Sequence, residues 1–218
     1  MFAGGAPHAG SERGGCRRRD TICGSPTAEE GYAVDRERAI RILIDGENID
    51  ATLGSSILGR RPRPEERPRW DRLLAFATGV WGGRAHGVFF LNASAGMPMP
   101  FVQALLAMEF RVVPLSGRPD QKVVDIAIQR TLRALRERED DIMLVSHDGD
   151  FVDDLSASAH EGRRVGIVAF AEFRNARLAA IPGIELFDLE HDAQVFDAPL
   201  DRIRVIPIDD FDPLDVLR

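Results

Sequence analysis

Short aliphatic runs alternate with amphipathic stretches from residue 39 to residue 189. The aliphatic runs are nearly continuous, which is typical of strands that are buried on both faces of a sheet. They predict six strands, over residues 39–44, 86–92, 111–116, 141–146, 164–170 and 184–189.

The stretches between these runs have apolar residues at helical spacing. They predict helices over residues 70–80, 98–109, 120–139, 150–162 and 175–180. Strands that alternate with helices form a parallel sheet with helices on both faces. The predicted fold is therefore α/β, a three-layer α/β/α sandwich around a mostly parallel sheet.

The two ends of the chain differ in composition from this central domain, residues 39–189. Residues 1–38 are rich in Gly, Arg and Glu without periodicity, so we expect them to be disordered. Residues 190–218 form an acidic, Pro- and Asp-rich tail whose patch at residues 203–208 could pack on the domain or bind a partner. A protein partner and a second copy of the chain are both candidates.

The net charge of −7 is concentrated at the C-terminal end. Residues 185–218 hold ten acidic and three basic side chains, and 3 − 10 = −7, so the rest of the chain is neutral. A negative total argues weakly against nucleic-acid binding. That argument fails here because the acidity is confined to one segment.

The chain has no apolar run of roughly 18 residues that could span a bilayer. No apolar stretch follows the basic residues near its start, so we expect no secretory signal and no membrane partner. Only two cysteines occur, Cys16 and Cys23. A disulfide framework is therefore not expected, and a reducing cytoplasm is the expected location.

Acidic residues follow two of the predicted strands. Asp45 ends the first strand, Asp148 and Asp150 follow the fourth, and Asp125 lies among apolar residues of the helix over 120–139. Carboxyl ends of parallel strands meet at one edge of the sheet, where ligands bind. Clustered carboxylates repel one another unless a divalent cation neutralises them, and oxygen ligands favour Mg²⁺ or Mn²⁺. Such a site suits phosphodiester hydrolysis.

Each of these residues also has an ordinary structural interpretation. Asp150 could cap the helix that follows it, and Asp148 with Gly149 is a common turn pair. Asp125 could be a half-exposed helix residue. His147 could relay protons, but a turn histidine with no part in catalysis is favoured. The joint placement of the acids is what favours a site.

Several enzyme classes lack their motifs in this chain. No phosphate-binding G-x-x-x-x-G-K-[ST] loop and no G-x-G-x-x-G fingerprint is present. There is no D-x-D-x-D-G calcium loop and no G-x-S-x-G elbow. A phosphatase remains a third hypothesis, although the first strand lacks a D-x-D-x-[TV] nucleophile pattern.

Three short motifs, LIDGEN (43–48), KVVD (122–125) and LVSHDGDF (144–151), occur in this order. They resemble the NYN domain, a PIN-like ribonuclease group that includes bacterial LabA-like proteins. The resemblance implies a metal-dependent enzyme that acts on RNA and has a PIN-like sheet. By this resemblance Asp45, Asp125 and Asp148 match the acidic metal-site positions.

The resemblance also assigns neighbouring residues. Asp150 matches the second acid of the S-x-D-x-D-F run, Asn48 the asparagine of D-G-x-N, and Lys122 the lysine of K-G-V-D. The chain departs from the pattern at Val123, where glycine is usual, and at His147, where a small residue is common. These departures affect the fit of a substrate more than the set of carboxylates.

An arginine-rich segment, residues 59–70, follows the first strand. It holds five arginines, Arg60, Arg61, Arg63, Arg67 and Arg69. Such a run is usually a solvated loop, but its position predicts phosphate contacts, with Arg60, Arg61, Arg63 and Lys122 as RNA-binding residues. The sequence thus predicts a ribonuclease dependent on Mg²⁺ or Mn²⁺. The alternative is a non-catalytic RNA-binding or regulatory module.

Overall fold

The computed structural model describes residues 38–159, 162–201 and 208–214, and a six-stranded sheet lies at their centre. The strands are β1 (Ile40–Asp45), β2 (Ala85–Asn92), β3 (Arg111–Leu115), β4 (Asp141–Val145), β5 (Val165–Ala169) and β6 (Glu185–Asp188). All pairings are parallel, in the order β3-β2-β1-β4-β5-β6. The six predicted strands are confirmed, each to within one residue.

Six α-helices connect these strands. They are α1 (Gly46–Ala51), α2 (Trp70–Trp81), α3 (Met99–Ala107), α4 (Val123–Leu135), α5 (Val152–Ser158) and α6 (Ala176–Ala179). A π-helical segment (Thr52–Leu58) continues α1, and 3-10 turns cover Pro64–Glu66, Gly149–Phe151, Ala171–Phe173 and Ile208–Asp210. The predicted helices correspond to α2–α6; α3 to α6 are shorter than predicted, α4 and α5 most of all. Neither α1 nor its extension was predicted.

The sheet is covered on both faces, which confirms the three-layer sandwich. Side chains alternate along β1, so that Ile42 and Ile44 face one core and Leu43 the other. The first core takes Ile49, Leu53, Leu73 and Val102 from α1, its extension, α2 and α3. The second takes Ile128, Leu155 and Leu178 from α4, α5 and α6.

The packed part of the chain extends beyond the predicted boundary at residue 189. Ala193, Val195 and Phe196 are buried in the first core, and the Phe196 ring stacks on Phe170 at 5.7 Å. Part of the segment predicted as a tail therefore lies on the domain. Residues 1–37 and 202–207, which include most of the predicted apolar patch, lie outside the described residues.

The strand order places a topological switch point at the centre of the sheet. From β1 the chain proceeds through β2 to β3 on one side, whereas β4, β5 and β6 follow on the other. In doubly wound sheets the crevice for a ligand opens at the carboxyl ends of the strands at this point. Here those ends are Asp45 on β1 and Val145 on β4.

Candidate active site

Asp45 lies at the carboxyl end of β1 with only 2% of its surface exposed. Its carboxylate accepts hydrogen bonds from the Asn48 backbone N–H (3.2 Å) and from the Ser146 hydroxyl (3.0 Å). Burial raises the pKa of Asp45 to about 6; these hydrogen bonds oppose the rise, and repulsion by Asp125 and Asp148 adds to it. Asp45 therefore changes charge close to neutral pH.

Ser146 and Asp148 shape the turn that follows β4. The Ser146 hydroxyl accepts from the Asp148 backbone N–H at 3.2 Å while it donates to Asp45. The Asp148 carboxylate accepts from the Asp150 backbone N–H at 2.9 Å and so caps the 3-10 turn. Sequence reasoning gave Ser146 no role, since its significance depends on a contact across two strands.

His147 joins three segments at the base of the site. Its Nε2 accepts from the Phe170 backbone N–H at 3.0 Å, so the proton lies on Nδ1, 2.8 Å from the Asn48 side-chain oxygen. That oxygen also accepts from the His147 backbone N–H at 2.8 Å. Burial lowers the pKa of His147 to about 4. A neutral ring with both nitrogens engaged supports the interpretation as a structural turn histidine.

The orientation of the Asn48 amide follows from these contacts. Because its oxygen accepts two hydrogen bonds, its Nδ2 is a donor, and it has no partner among the residues that the structure describes. Asn48 lines the cleft at the strand ends. Its N–H groups are therefore available to a ligand there.

Three carboxylates form a cluster between α4 and the turn after β4. One oxygen each from Asp125, Asp148 and Asp150 lies within 4.8 Å of the others. The Lys122 ammonium lies 3.3 Å from Asp125 and 3.1 Å from Asp150, and these contacts raise its pKa to about 12, the Asp150 hydrogen bond most. The Lys122 ammonium thus forms ion pairs with two of the three carboxylates.

A cleft of about 400 Å³ opens beside this cluster. Asp45, Asp125 and Asp148 contribute to its wall, whereas Asp150 belongs only to the cluster and Asp45 only to the cleft. The four predicted acids therefore form two overlapping groups. Residues that the sequence interpretation did not assign also line the cleft, namely Glu47, Asn92 and Asp120. Glu47 stands inside the quoted LIDGEN motif, where its charge and position could have indicated it.

The donor set fits a hard divalent cation. Three carboxylates at short separation offer only oxygen ligands, and the Lys122 contact shows that the cluster already attracts a cationic group. Oxygen donors of this kind favour Mg²⁺ or Mn²⁺ over softer metals. Asp125, Asp148 and Asp150 are the residues that could hold the ion, with Asp45 close by.

Most arginines of residues 59–70 are engaged by acids. Arg60 pairs with Glu66, Arg67 with Asp50, and Arg69 with Asp197. The acid partner of Arg69 lies 128 residues away in sequence, so this pairing could not be predicted. Arg61 and Arg63 are exposed and form no ion pair within the described part of the chain. Of the arginines predicted to bind RNA, these two have a guanidinium without an acidic partner among the described residues.

Fold and site together define a doubly wound α/β protein with an acidic, oxygen-lined cleft at its topological switch point. The family model of the NYN domain matches residues 39–181, and the chain belongs to this family, which is of the PIN-like nuclease kind.

A crystal structure of a protein of unknown function from Vibrio parahaemolyticus has the same kind of fold, with a TM-score of 0.56 and 17% sequence identity. The match covers 72% of this chain and 96% of that one. No curated protein matches the chain. Among the described residues, no helix is both long and apolar enough to cross a membrane.

Proposed function

We propose that this NYN domain hydrolyses phosphodiester bonds of RNA at the acidic cleft, with Mg²⁺ or Mn²⁺ held by Asp125, Asp148 and Asp150. The observation that carries the proposal is the cluster of three carboxylate oxygens within 4.8 Å of one another. When bound, such a cation lowers the pKa of a coordinated water and stabilises charge on the leaving oxygen.

The residues around the cluster have separate tasks in this proposal. Asp45 adds a negative charge beside the cation, because a bound cation favours the deprotonated carboxylate and opposes the effect of burial, which raises its pKa in the metal-free protein. Lys122 and Asn48 donate hydrogen bonds to phosphate oxygens of the substrate. Both line the cleft, and the Lys122 side chain is 66% exposed. His147 holds Asn48 in place and transfers no proton.

RNA, single-stranded or structured, is the proposed partner. A cleft lined by carboxylates repels a polyanion, so basic groups outside it have to hold the strand. Arg61 and Arg63 are exposed and free of ion pairs among the described residues, which supports this task. A cytoplasmic location is part of the same proposal.

One observation favours the alternative, a non-catalytic RNA-binding or regulatory module. Lys122 bridges Asp125 and Asp150, so that these two carboxylates already share one positive charge without a metal ion. In such a module the acids would serve the fold and the lysine would remain in place. The two functions differ in whether RNA is cut.

The test is incubation of labelled single-stranded and structured RNA with the purified full-length chain in Mn²⁺, Mg²⁺ or EDTA. We expect cleavage with at least one of the two ions and none in EDTA, with activity restored when excess metal is added back. Binding without cleavage under every condition would favour the non-catalytic module. Cleavage that proceeds equally in EDTA would contradict the metal-dependent mechanism.

A further inference from the structure

A second pocket, of about 410 Å³, lies beside the acidic cleft. Its apolar wall consists of Trp70, Phe89, Leu91, Pro98 and Phe101. Phe101 is half-buried, and edge-to-face contacts fix its ring against Phe89 (5.3 Å) and Phe89 against Trp70 (5.4 Å). A pocket of this size with a mostly aromatic and apolar wall is typical of sites that bind small molecules or parts of larger ligands.

The start of α1 closes one side of this pocket through Gly46. A Cβ atom at this position would lie 2.3 Å from the Phe89 ring, so only glycine allows helix and ring to approach this closely. The next residue, Glu47, lines both this pocket and the acidic cleft. The two spaces are therefore adjacent, separated by one side chain.

Two arginines lie at the rim of the pocket, together with Glu47 and Asp50. Arg67 lines it and is held by Asp50 at 2.9 Å, whereas Arg61 lines it without an ion pair in the described part of the chain. Aromatic surface next to a free guanidinium is the combination by which proteins bind unpaired nucleotides, with the base on the apolar wall and the phosphate on the cation.

We propose that this pocket binds the base of an unpaired nucleotide adjacent to the cleaved bond, with Phe101 in contact with the base and Arg61 on the adjoining phosphate. The inference rests on the proposed function, because continuity with the acidic cleft is what makes RNA the occupant. It adds that the substrate is single-stranded at this position. A duplex would keep the base within its stack and out of the pocket.

The test measures the binding of a labelled single-stranded RNA by fluorescence anisotropy in Mg²⁺. All proteins carry Asp148→Asn, so that the RNA stays intact. Phe101→Ala should weaken binding about tenfold, the range for loss of one stacked base. Leu106→Ala, at an exposed position of the same helix, is the matched control and should bind within about twofold of the parent. Phe101→Leu retains apolar bulk if Phe101→Ala proves unstable, and should also weaken binding.

A second pair of variants tests the phosphate contact. Arg61→Gln should weaken binding and lower the slope of log K against log salt by about 0.7. Arg84→Gln removes the same charge from an exposed residue just before β2, at the opposite end of the sheet from the cleft, and should change both quantities less. Equal effects of the two substitutions would show general electrostatics and overturn the assignment of Arg61.

An abasic nucleotide, moved one position at a time along the RNA, locates the base. The parent protein should lose about tenfold in affinity at one position only, and Phe101→Ala should be insensitive at that position. If the abasic nucleotide lowers affinity equally at every position, and Phe101→Ala binds RNA as tightly as Leu106→Ala does, the pocket is not a base site. RNA binding as such would still stand. If none of the proteins binds RNA, the proposed function fails together with the pocket.

Discussion

Ser146, Asn48 and His147 connect the ends of the two central strands through side-chain hydrogen bonds. Ser146 donates to Asp45 on the neighbouring strand, and His147 donates to Asn48 on α1. The positions of the acids could be predicted, since strand ends and motif order are visible in the sequence. The supporting contacts could not, because they join residues 99 to 101 positions apart.

At the scale of single residues, Asp45 should make the metal-free protein pH-sensitive. Its pKa is 3.8 without perturbation and about 6 in the fold, so the stabilisation from its proton is complete below pH 3.8 and is lost as the pH rises through 6. This difference corresponds to about 3 kcal/mol. Asp45→Asn removes the buried charge, so the unfolding free energy of this variant in EDTA should not depend on this titration. The unfolding free energy of Asp45→Asn minus that of the wild type should therefore be about 3 kcal/mol larger at pH 7.5 than at pH 3.5.

Urea unfolding of both proteins across this pH range measures the difference. Asp201→Asn, at an exposed position, is the control and should track the wild type. If the difference in unfolding free energy between Asp45→Asn and the wild type stays constant with pH, the pKa of Asp45 is not raised.

Lys122 should compete with the divalent cation. Its ammonium contacts Asp125 and Asp150, so an incoming ion has to displace a positive charge from these two carboxylates. Lys122→Gln should therefore bind Mn²⁺ about fivefold more tightly in the absence of RNA, equivalent to about 1 kcal/mol for a mostly exposed ion pair. Isothermal titration with Mn²⁺ measures the affinity. Arg130→Gln removes an exposed charge from the same helix, and equal affinities of the two variants would exclude the competition.

At the scale of elements, the strands were predictable because each is a continuous aliphatic run, whereas α1 was not. The run Gly46–Asp50 has the composition of a turn, and the Asp45 cap is visible only once the helix is known. The spacing of Ile49, Leu53 and Ile57, all buried, does carry the period of a helix that continues through the π segment. One intervening glycine, Gly54, and the polar residues around it obscure this pattern.

Residues 193–196, which follow β6, pack into the core of the domain. Phe196 is 8% exposed and stacks on Phe170, which in turn stacks on His147 at 5.5 Å. Phe196→Ala should lower the unfolding free energy by about 3 kcal/mol, the cost of removing a buried aromatic side chain. Phe211→Ala, at a position 43% exposed, should change it by less than about 0.5 kcal/mol. Chemical denaturation measures both, and equal stabilities would contradict the packing of residues 193–196.

At the scale of the whole molecule, much of the C-terminal acidity serves the fold. Asp188 accepts hydrogen bonds from three backbone N–H groups, and Asp197 pairs with Arg69 and Arg72. The net charge of −7 is thus a poor guide to the surface that meets RNA. Composition predicted the segregation of charge, but not that acids near the C-terminus would neutralise arginines at the start of α2.

The strand order is the other feature of the whole molecule that the sequence left open. A parallel sheet was predictable, but the neighbours of β1 were not, because sequence periodicity gives no information about which strands pair. The observed order sets β1 beside β4 and so brings Asp45 near Asp125 and Asp148. The site depends on this pairing more than on any single motif.

The central claim, that the carboxylate cluster carries RNA cleavage, is tested most directly by single-turnover cleavage of labelled single-stranded RNA in Mn²⁺. Asp125→Asn and Asp148→Asn should each reduce the rate about 100-fold or more. Each substitution removes a proposed ligand of the divalent cation, which stabilises the transition state. Asp153→Asn, at an exposed position on α5 outside the cleft, should cleave within about twofold of the wild type. If Asp125→Asn and Asp148→Asn remain folded and cleave at the rate of Asp153→Asn, the cluster is not the catalytic centre.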